Sequence, residues 1–289
     1  MVSASEVAKL RAQTGAGMLD CKNALEEAGG DMEKAGELLR KKGIIKAAKR
    51  ADKVAADGLV TGIVDKDGKV GVLVEVNCET DFVAKSDHFK DFSKLVAETI
   101  LKHNPTDLVG LHTITTSTGK TVEGLAGEIA LKIGEKISVR RFERFESSGL
   151  VTVYLHGTKI GSIVEIVGGD ATLGTDIAMH VAASNPKYLS RDQVDATEVE
   201  KEKAVYTEQL TVQKKPANII EKIVGGKLDK FYGEICLLEQ PFIKDEEKTI
   251  KQLAESKKAT VKRFVRFELG EGIIKMVKDF ASEVAEQLK

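Results

Sequence analysis

The sequence contains one structural unit written twice, and this repeat constrains the fold more than any local pattern does. Residues 58–61 recur as residues 149–152, and residues 69–76 recur as residues 159–166. In each copy, two segments rich in β-branched residues flank a short turn that contains glycine, which is typical of a β-hairpin. Alternate apolar residues in the second segment of each pair predict strands that are buried on at least one face.

A predicted helix follows each hairpin, and each copy then closes on a strand rich in arginine and phenylalanine. The helices carry apolar residues at helical spacing, beginning at Phe89 in the first copy and at Ile177 in the second. Residues 138–146 match residues 260–268, and we call these two segments the Arg-Phe strands. The sequence separation between the two Arg-Phe strands is larger than the separation between the two hairpins. The second copy must therefore hold an insertion of roughly 30 residues, which we place at about 195–228.

The insertion reads as two helices. The first begins near Glu198 and has oppositely charged residues spaced three and four apart on its exposed face. Pro216 interrupts the pattern, because proline cannot continue a helix interior. An apolar stripe that starts at Ile219 then marks the second helix. An antiparallel helical hairpin is expected, which serves either as a stabilising flap or as an arm for self-association or partner docking.

Residues 3–45 predict three short helices. Glycines at the first turn and at Gly29 and Gly30 separate them, and Asp31 is placed to cap the third. Three helices of this length enclose only a small core, and a module of that size more often binds a partner than catalyses a reaction. The charged, alanine-rich residues 46–53 follow. They form either a flexible tether or a solvated helix, and we favour the tether.

The predicted fold class is α+β, with a final amphipathic helix marked by apolar residues from Ile273 to Val284. The two core copies are expected to form sheets with helices packed against them. Four regions are predicted: a three-helix domain with its tether, the first core subdomain, the second core subdomain with its insertion, and a C-terminal helical module, at residues 1–52, 53–146, 147–268 and 269–289.

Composition argues against several functional classes. The formal net charge is −1, so there is no excess of positive charge to attract nucleic acid. The three cysteines lie far apart and form no C-x-x-C pair, which argues against a disulfide framework or a zinc site. No run of about 18 apolar residues exists to span a membrane, and the N-terminus lacks a secretory pattern. We therefore expect a cytoplasmic protein that binds neither membrane nor nucleic acid.

No motif in the sequence predicts catalysis or a bound cofactor. Residues 119–121 have the end of a phosphate-binding loop, but Ile114 stands where that loop requires glycine. The five histidines lack the spacing of metal ligands, and His180 is expected to be a hydrogen-bonded core or rim residue. We expect no catalytic residue, metal or cofactor. An enzyme acting on an unknown small molecule stays open as an alternative.

The Arg-Phe strands raise the alternative of RNA binding, since aromatic side chains on strands can stack against bases. Phe142 and Phe145 are three residues apart, however, and so face opposite sides of an extended strand. Glu143 and Glu146 also interrupt the basic run. We therefore favour phenylalanines that pack inward and arginines that form ion pairs outward.

Apart from the insertion, the two copies keep the same pattern except where the hairpin meets the helix. Residues 77–87, the first junction, contain Thr80, Asp81, Phe82 and Val83, whereas the second junction, residues 167–172, has two glycines and no aromatic residue. Locally, Thr80 or Asp81 could cap the next helix, with Phe82 in the core. The alternative is that this segment contacts a partner.

Two long segments resemble the signatures of a known family. Residues 11–25, RAQTGAGMLDCKNAL, and residues 75–85, EVNCETDFVAK, are similar to the two signatures of the elongation factor Ts family. The resemblance extends over the two-copy core, the insertion and the segment 265–272. It implies a guanine-nucleotide exchange factor that binds GDP-bound elongation factor Tu and promotes GDP release. It also implies a UBA-like N-terminal domain, antiparallel sheets and a coiled-coil insertion.

The resemblance further implies which residues meet the partner. The segment formed by Thr80, Asp81, Phe82 and Val83 is expected to wedge between helices of the nucleotide-binding domain of elongation factor Tu and to displace groups that hold its magnesium ion. Further contacts are expected from the second hairpin and from the N-terminal domain, through His156, Arg11, Met18 and Leu19. A homodimer, or a heterotetramer with elongation factor Tu, is compatible with the family. No covalent chemistry is required, so the chain is not expected to be an enzyme.

Overall fold

The structure is a computed structural model, and it describes residues 2–49, 53–213 and 215–274. Within these residues it contains eleven α-helices and eight β-strands in small sheets, which is the mixed α and β composition that the sequence predicts. The chain divides into two compact units. One contains the described residues of Met1–Thr61, Val74–Phe142 and Phe267–Lys289, and the other contains Gly62–Leu73 and Glu143–Arg266. The four regions predicted from sequence stay a prediction.

Three helices open the chain: α1 (Ala4–Thr14), α2 (Met18–Glu27) and α3 (Met32–Lys49). Ser3 and Glu6 form a reciprocal capping box at the start of α1, and the Asp31 carboxylate accepts from backbone amides at the start of α3. Their small core is apolar, with Leu10, Leu25 and Leu39 almost completely buried. The tether predicted at residues 46–53 is wrong for residues 46–49, because α3 continues through Lys49; residues 50–52 lie outside the described part.

The first copy contains a sheet of order β1 (Asp57–Val64), β2 (Val70–Cys78) and β3 (Ser138–Glu146). From its second residue onward β2 is buried on both faces, which confirms the prediction from its alternating valines. Gly58 has φ +144°, and a Cβ there would lie 2.1 Å from the Val76 carbonyl oxygen. Four helices connect β2 to β3, namely α4 (Asp81–Lys85), α5 (Asp87–His103), α6 (Leu108–Thr113) and α7 (Val122–Ile133).

The second copy contains a sheet of order β4 (Leu150–His156), β5 (Ile160–Val167) and β8 (Thr260–Glu268). Strands β4 and β5 pair antiparallel, with Leu150 opposite Ile166 and His156 opposite Ile160, so the predicted hairpin is present. Helix α8 (Ala171–Ser184) packs against both of them. The apolar core of this copy is built from β5, α8 and β8 together with the segment that follows the insertion.

The insertion consists of α9 (Ala196–Val212) and α10 (Ala217–Ile235), which pack against each other. Pro216 immediately precedes α10, as its missing N–H and fixed φ lead one to expect. The second helix continues beyond the predicted end near residue 228. A short antiparallel pair, β6 (Pro241–Phe242) and β7 (Asp245–Thr249), and helix α11 (Ile250–Ser256) lead from it to β8.

The predicted C-terminal helix falls on residues that lie almost entirely outside the described part of the chain, which ends at Ile274. Within the described residues, no helix has the length and apolar character needed to cross a membrane.

Candidate functional site: an anchored helical turn at the first junction

The first junction folds into a short helix that presents a phenylalanine ring to solvent. Thr80 caps α4, since its hydroxyl oxygen accepts from the Val83 N–H at 3.4 Å. Val83 and Ala84 face the core, whereas the Phe82 side chain is 81% exposed. The local prediction of a cap is therefore confirmed. The same local interpretation placed Phe82 in the core, and that part of it is wrong.

Two glutamates anchor this turn to the segment after α7. One carboxylate oxygen of Glu135 accepts from the backbone amides of Glu79 and Thr80, at 3.1 and 3.0 Å. The other accepts from the Thr80 hydroxyl at 2.7 Å. In return, the Glu79 carboxylate accepts from the backbone amide of Lys136 at 2.7 Å. Sequence reasoning missed Glu135, because a contact across this separation produces no periodic signal.

A buried thiol completes the base of the turn. The Cys78 Sγ–H donates to the Thr80 carbonyl oxygen at 3.1 Å, and burial raises the pKa of Cys78 to about 12. The neutral thiol is therefore the only form present near neutral pH, and it is no candidate nucleophile.

Asp81, beside the exposed ring, forms an ion pair on the surface. Its carboxylate accepts from the Lys85 ammonium at 2.6 Å, one turn along α4. This hydrogen bond lowers the pKa of Asp81, so the carboxylate is ionised at neutral pH. Both side chains are largely solvated, and a pair of this kind holds its geometry only weakly. Asp81 can consequently leave Lys85 for another polar or charged group at little cost in free energy.

The second junction is built in a different way. Gly168 and Gly169 both have positive φ, and a Cβ at Gly168 would lie 2.3 Å from the carbonyl oxygen of Lys258. Asp170 then caps α8 by accepting from the Leu173 amide at 2.8 Å. The chain passes directly from strand to helix, with neither an additional helical turn nor an exposed aromatic ring among residues 167–172.

Strand β2 carries a buried carboxylate shortly before the first junction. Glu75 is completely buried and accepts from Arg140 at 2.9 Å, from Arg141 at 2.6 Å and from the backbone amide of Gly270 at 2.8 Å. Burial alone would raise the pKa of Glu75. The Gly270 amide and the two guanidinium groups outweigh that effect and lower the pKa below its ordinary value.

The Arg-Phe strands carry stacked pairs of arginine and phenylalanine. The Arg141 guanidinium lies 4.2 Å from the ring centroid of Phe267, and that of Arg263 lies 4.0 Å from the ring of Phe145. Arg263 also donates to Glu165 at 2.6 Å. Arg141 and Arg263 are thus paired and Phe145 and Phe267 are buried, as the favoured interpretation predicts, whereas Phe142 is only partly buried.

Comparison with known proteins identifies the family of the chain. The family model described as Elongation factor TS matches residues 79–271. A protein named Elongation factor Ts from Methylococcus capsulatus is 49% identical over 289 residues, which covers 100% of this chain and 99% of the relative. A protein of the same name from Burkholderia multivorans is 48% identical over 287 residues, which covers 99% of this chain and 97% of the relative.

The chain belongs to the elongation factor Ts family. Membership makes it a translation elongation factor and implies nucleotide exchange on elongation factor Tu during protein synthesis.

The other residues predicted from the family resemblance lie at the surface. Met18 and Leu19, at the start of α2, are 46% and 70% exposed, and Arg11 on α1 is also exposed. His156 ends β4 and is exposed, with its Nδ1 3.3 Å from the Tyr154 hydroxyl. Thr80, Asp81, Phe82 and Val83 form a single helical turn. The partner contacts assigned to all these residues stay predictions.

Other polar groups of this elongation factor Ts family member serve the core. His180 is buried; its Nδ1 accepts from the Ile243 amide at 3.3 Å, which leaves Nε2 to donate to the Gln240 side-chain oxygen at 2.9 Å. Burial lowers the pKa of His180, consistent with a neutral ring, and the prediction of a satisfied core histidine is confirmed. In the described ranges, no group of three or more His, Cys, Asp and Glu side chains is arranged to hold a metal ion.

Proposed function

We propose that the chain is a guanine-nucleotide exchange factor that binds GDP-bound elongation factor Tu and promotes release of GDP, in the cytoplasm where translation proceeds. The observation that carries this proposal is the exposed Phe82 ring on a turn that is fixed at its base. A large apolar side chain held rigidly in water gains free energy when a partner buries it, and little conformational entropy is lost in doing so.

Asp81 and Phe82 enter between helices of the partner's nucleotide-binding domain. Magnesium requires nearly octahedral oxygen ligation, so a small displacement of its surroundings weakens its hold on the phosphates. The effect is reciprocal: the factor lowers nucleotide affinity by the same ratio as nucleotide lowers factor affinity. No bond is made or broken, so the chain acts without catalytic residues of its own.

Several contacts must share the coupling. A shift of about 10⁴-fold requires about 5.5 kcal/mol, whereas burying one phenylalanine ring supplies roughly 2–3 kcal/mol. We assign the remainder to Asp81, to His156 and to the N-terminal helices, through Arg11, Met18 and Leu19. These three residues belong to a UBA-like domain that rests on the same part of the partner.

The insertion formed by α9 and α10 is a coiled-coil arm for docking to a partner or to a second copy, and it supports a homodimer or a heterotetramer with elongation factor Tu. We also propose that the subdomains end at residues 52, 146 and 268. The sheets of both core subdomains are antiparallel in this proposal.

The decisive experiment measures the release of fluorescent GDP from elongation factor Tu, with excess unlabelled GDP, in the presence and absence of the chain. Release is expected to accelerate by orders of magnitude and to saturate with the concentration of the chain. An unrelated GTP-binding protein serves as the specificity control. Unchanged release from elongation factor Tu would sink the proposal. Salt-dependent retention of the chain on RNA, without any effect on GDP, would favour the RNA-binding alternative.

A further inference from the structure

We infer that Glu135 is a positioning residue for nucleotide exchange: its carboxylate holds the base of α4 in the orientation that presents Asp81 and Phe82. The inference rests on the proposed function, since it concerns the same turn. Glu135 lies beyond the end of α7, and its carboxylate accepts hydrogen bonds from residues 79 and 80 at the base of the turn. It therefore acts through the turn.

The contacts fix both the position and the direction of the helix. Two adjacent amides, those of Glu79 and Thr80, converge on one oxygen of Glu135, which sets the path of the chain as it leaves β2. The Thr80 hydroxyl donates to the other oxygen and itself accepts from Val83. The cap hydroxyl is thereby oriented by the carboxylate, and the first turn of α4 follows from it.

A helix as short as α4 has little stability of its own, because nucleation costs more than a single turn recovers. Only Val83 and Ala84 of its five residues pack on the core, so we expect the direction of its first turn to depend on an anchor at its base. Hydrogen bonds to a charged acceptor are stronger than neutral ones. Glu135 thus supplies the order that α4 lacks intrinsically.

The second junction shows that a hairpin can be connected to a helix by a local cap, without a carboxylate from a distant part of the chain. There, Gly168 packs against the backbone of Lys258, and α8 begins immediately after its own cap, Asp170. The first junction has Cys78 and Glu79 where the second has glycines, and it closes through side chains. We therefore link the carboxylate of Glu135 to the added turn and its exposed ring, and not to the connection between hairpin and helix.

The test compares Glu135→Gln and Glu135→Ala with the native chain in the GDP-release assay. Glutamine keeps one acceptor oxygen and alanine keeps none, so the expected order of activity is native, glutamine, alanine. If the other contacts hold the complex together and the turn is correctly oriented within it only a tenth of the time, the maximal release rate at saturating factor falls about tenfold. The concentration that gives half-maximal release changes little, because the other contacts with the partner are intact.

Hydrogen exchange supplies an independent readout on the isolated chain. The amides of Glu79 and Thr80 are expected to exchange slowly in the native protein and to lose that protection in both Glu135 variants. Glu128→Gln is the matched control, since it neutralises a carboxylate on α7 that pairs with Lys120. It should leave both readouts unchanged.

A merely structural role would produce a different pattern. It would reduce the fraction of folded chain, which raises the concentration needed for half-maximal release and leaves the maximal rate as it was. A result of that kind, or native protection of the two amides in Glu135→Ala, overturns the inference.

Combining Glu135→Gln with Asp81→Ala and Phe82→Ala separates the inference from the proposed function. The added Glu135 change is expected to have no further effect, because the groups that it positions are gone. If Asp81→Ala with Phe82→Ala is itself fully active, the proposed wedge fails. If that variant is impaired and Glu135→Gln is native-like, only the positioning role fails.

Discussion

Between β2 and α5 the first copy builds an additional helical turn around Thr80 and Phe82, whereas the second copy passes from β5 to α8 through two glycines. The glycine junction brings backbone against backbone, so nothing projects from it. At the other junction, the carboxylates of Glu79 and Glu135 join the turn to the segment after α7, and an apolar ring remains in solvent. The two copies of one unit thus differ in that one has a plain connection and the other presents an exposed aromatic ring.

The two copies also differ in how deeply a matching glutamate is buried and how many groups pair with it. Glu75 is completely buried and is satisfied by two arginines and a backbone amide. Its counterpart Glu165 retains 14% side-chain exposure and pairs with Arg263, itself nearly half exposed. The copy that bears the exposed ring is therefore also the one with the more strongly constrained ion pairs.

The largest expected effect tests this difference in burial. Glu75→Gln should lower the free energy of unfolding by about 3–4 kcal/mol, because it removes the buried charge that pairs with two partly buried guanidinium groups, of which Arg141 retains its pair with Glu271. Glu165→Gln, the matched control, should cost about 1 kcal/mol, since water can replace much of what is lost. Urea denaturation of both variants measures the contrast. Equal losses would show that burial does not distinguish the two pairs.

The glycine junction should be intolerant of a side chain. Gly168→Ala is expected to destabilise the chain by about 3 kcal/mol, since it combines an unfavourable positive φ with a backbone collision. Gly157→Ala has positive φ but open space around it, and should cost only about 1 kcal/mol. Thermal unfolding compares them. A similar loss for both would mean that packing against Lys258 contributes nothing.

Removing the exposed groups should separate function from stability. Asp81→Ala with Phe82→Ala is expected to reduce maximal GDP release about a hundredfold, or about 2.7 kcal/mol in the barrier, without lowering the unfolding temperature. Thr172→Ala, at an exposed position of the second junction, is the control and should exchange at the native rate. Native exchange by the double variant would show that the wedge assignment is wrong.

The smallest effect concerns pH. The pKa of Glu75 is lower in the folded chain than its ordinary value, so its stabilisation is present above that value and is lost as pH falls through the folded pKa. The free energy of unfolding should therefore fall less steeply below about pH 4.5 in Glu75→Gln than in the native chain. Denaturant titrations across this range measure it. Parallel profiles would contradict the linkage.

The parts of the fold with regular periodicity could be predicted from sequence. The hairpins are marked by alternating β-branched residues, and the insertion helices by the break at Pro216 and the apolar stripe after it. Helix α4 was not predicted as a separate element, because five residues show no helical period. The end of α3 was misplaced, since a charged, alanine-rich segment suits both a helix and a tether.

The difference between the copies and the family signatures located the candidate site in the sequence. They did not predict which side chains hold the site in place. Thr80 as a cap follows from residue type alone. The exposure of Phe82 could not be derived, since a phenylalanine near a helix start can pack inward or outward. The anchor at Glu135 depends on the tertiary path of the chain, which local sequence patterns do not predict.

The shielded thiols make the chain well suited to site-specific labelling. Cys21, Cys78 and Cys236 are all buried, and burial raises the pKa of Cys236 to about 11 and that of Cys78 to about 12. Alkylating reagents attack the thiolate, so these native cysteines should react slowly. A cysteine introduced at the exposed Val212 would carry a fluorophore alone, and the docking proposed for the α9–α10 arm could then be tested in real time.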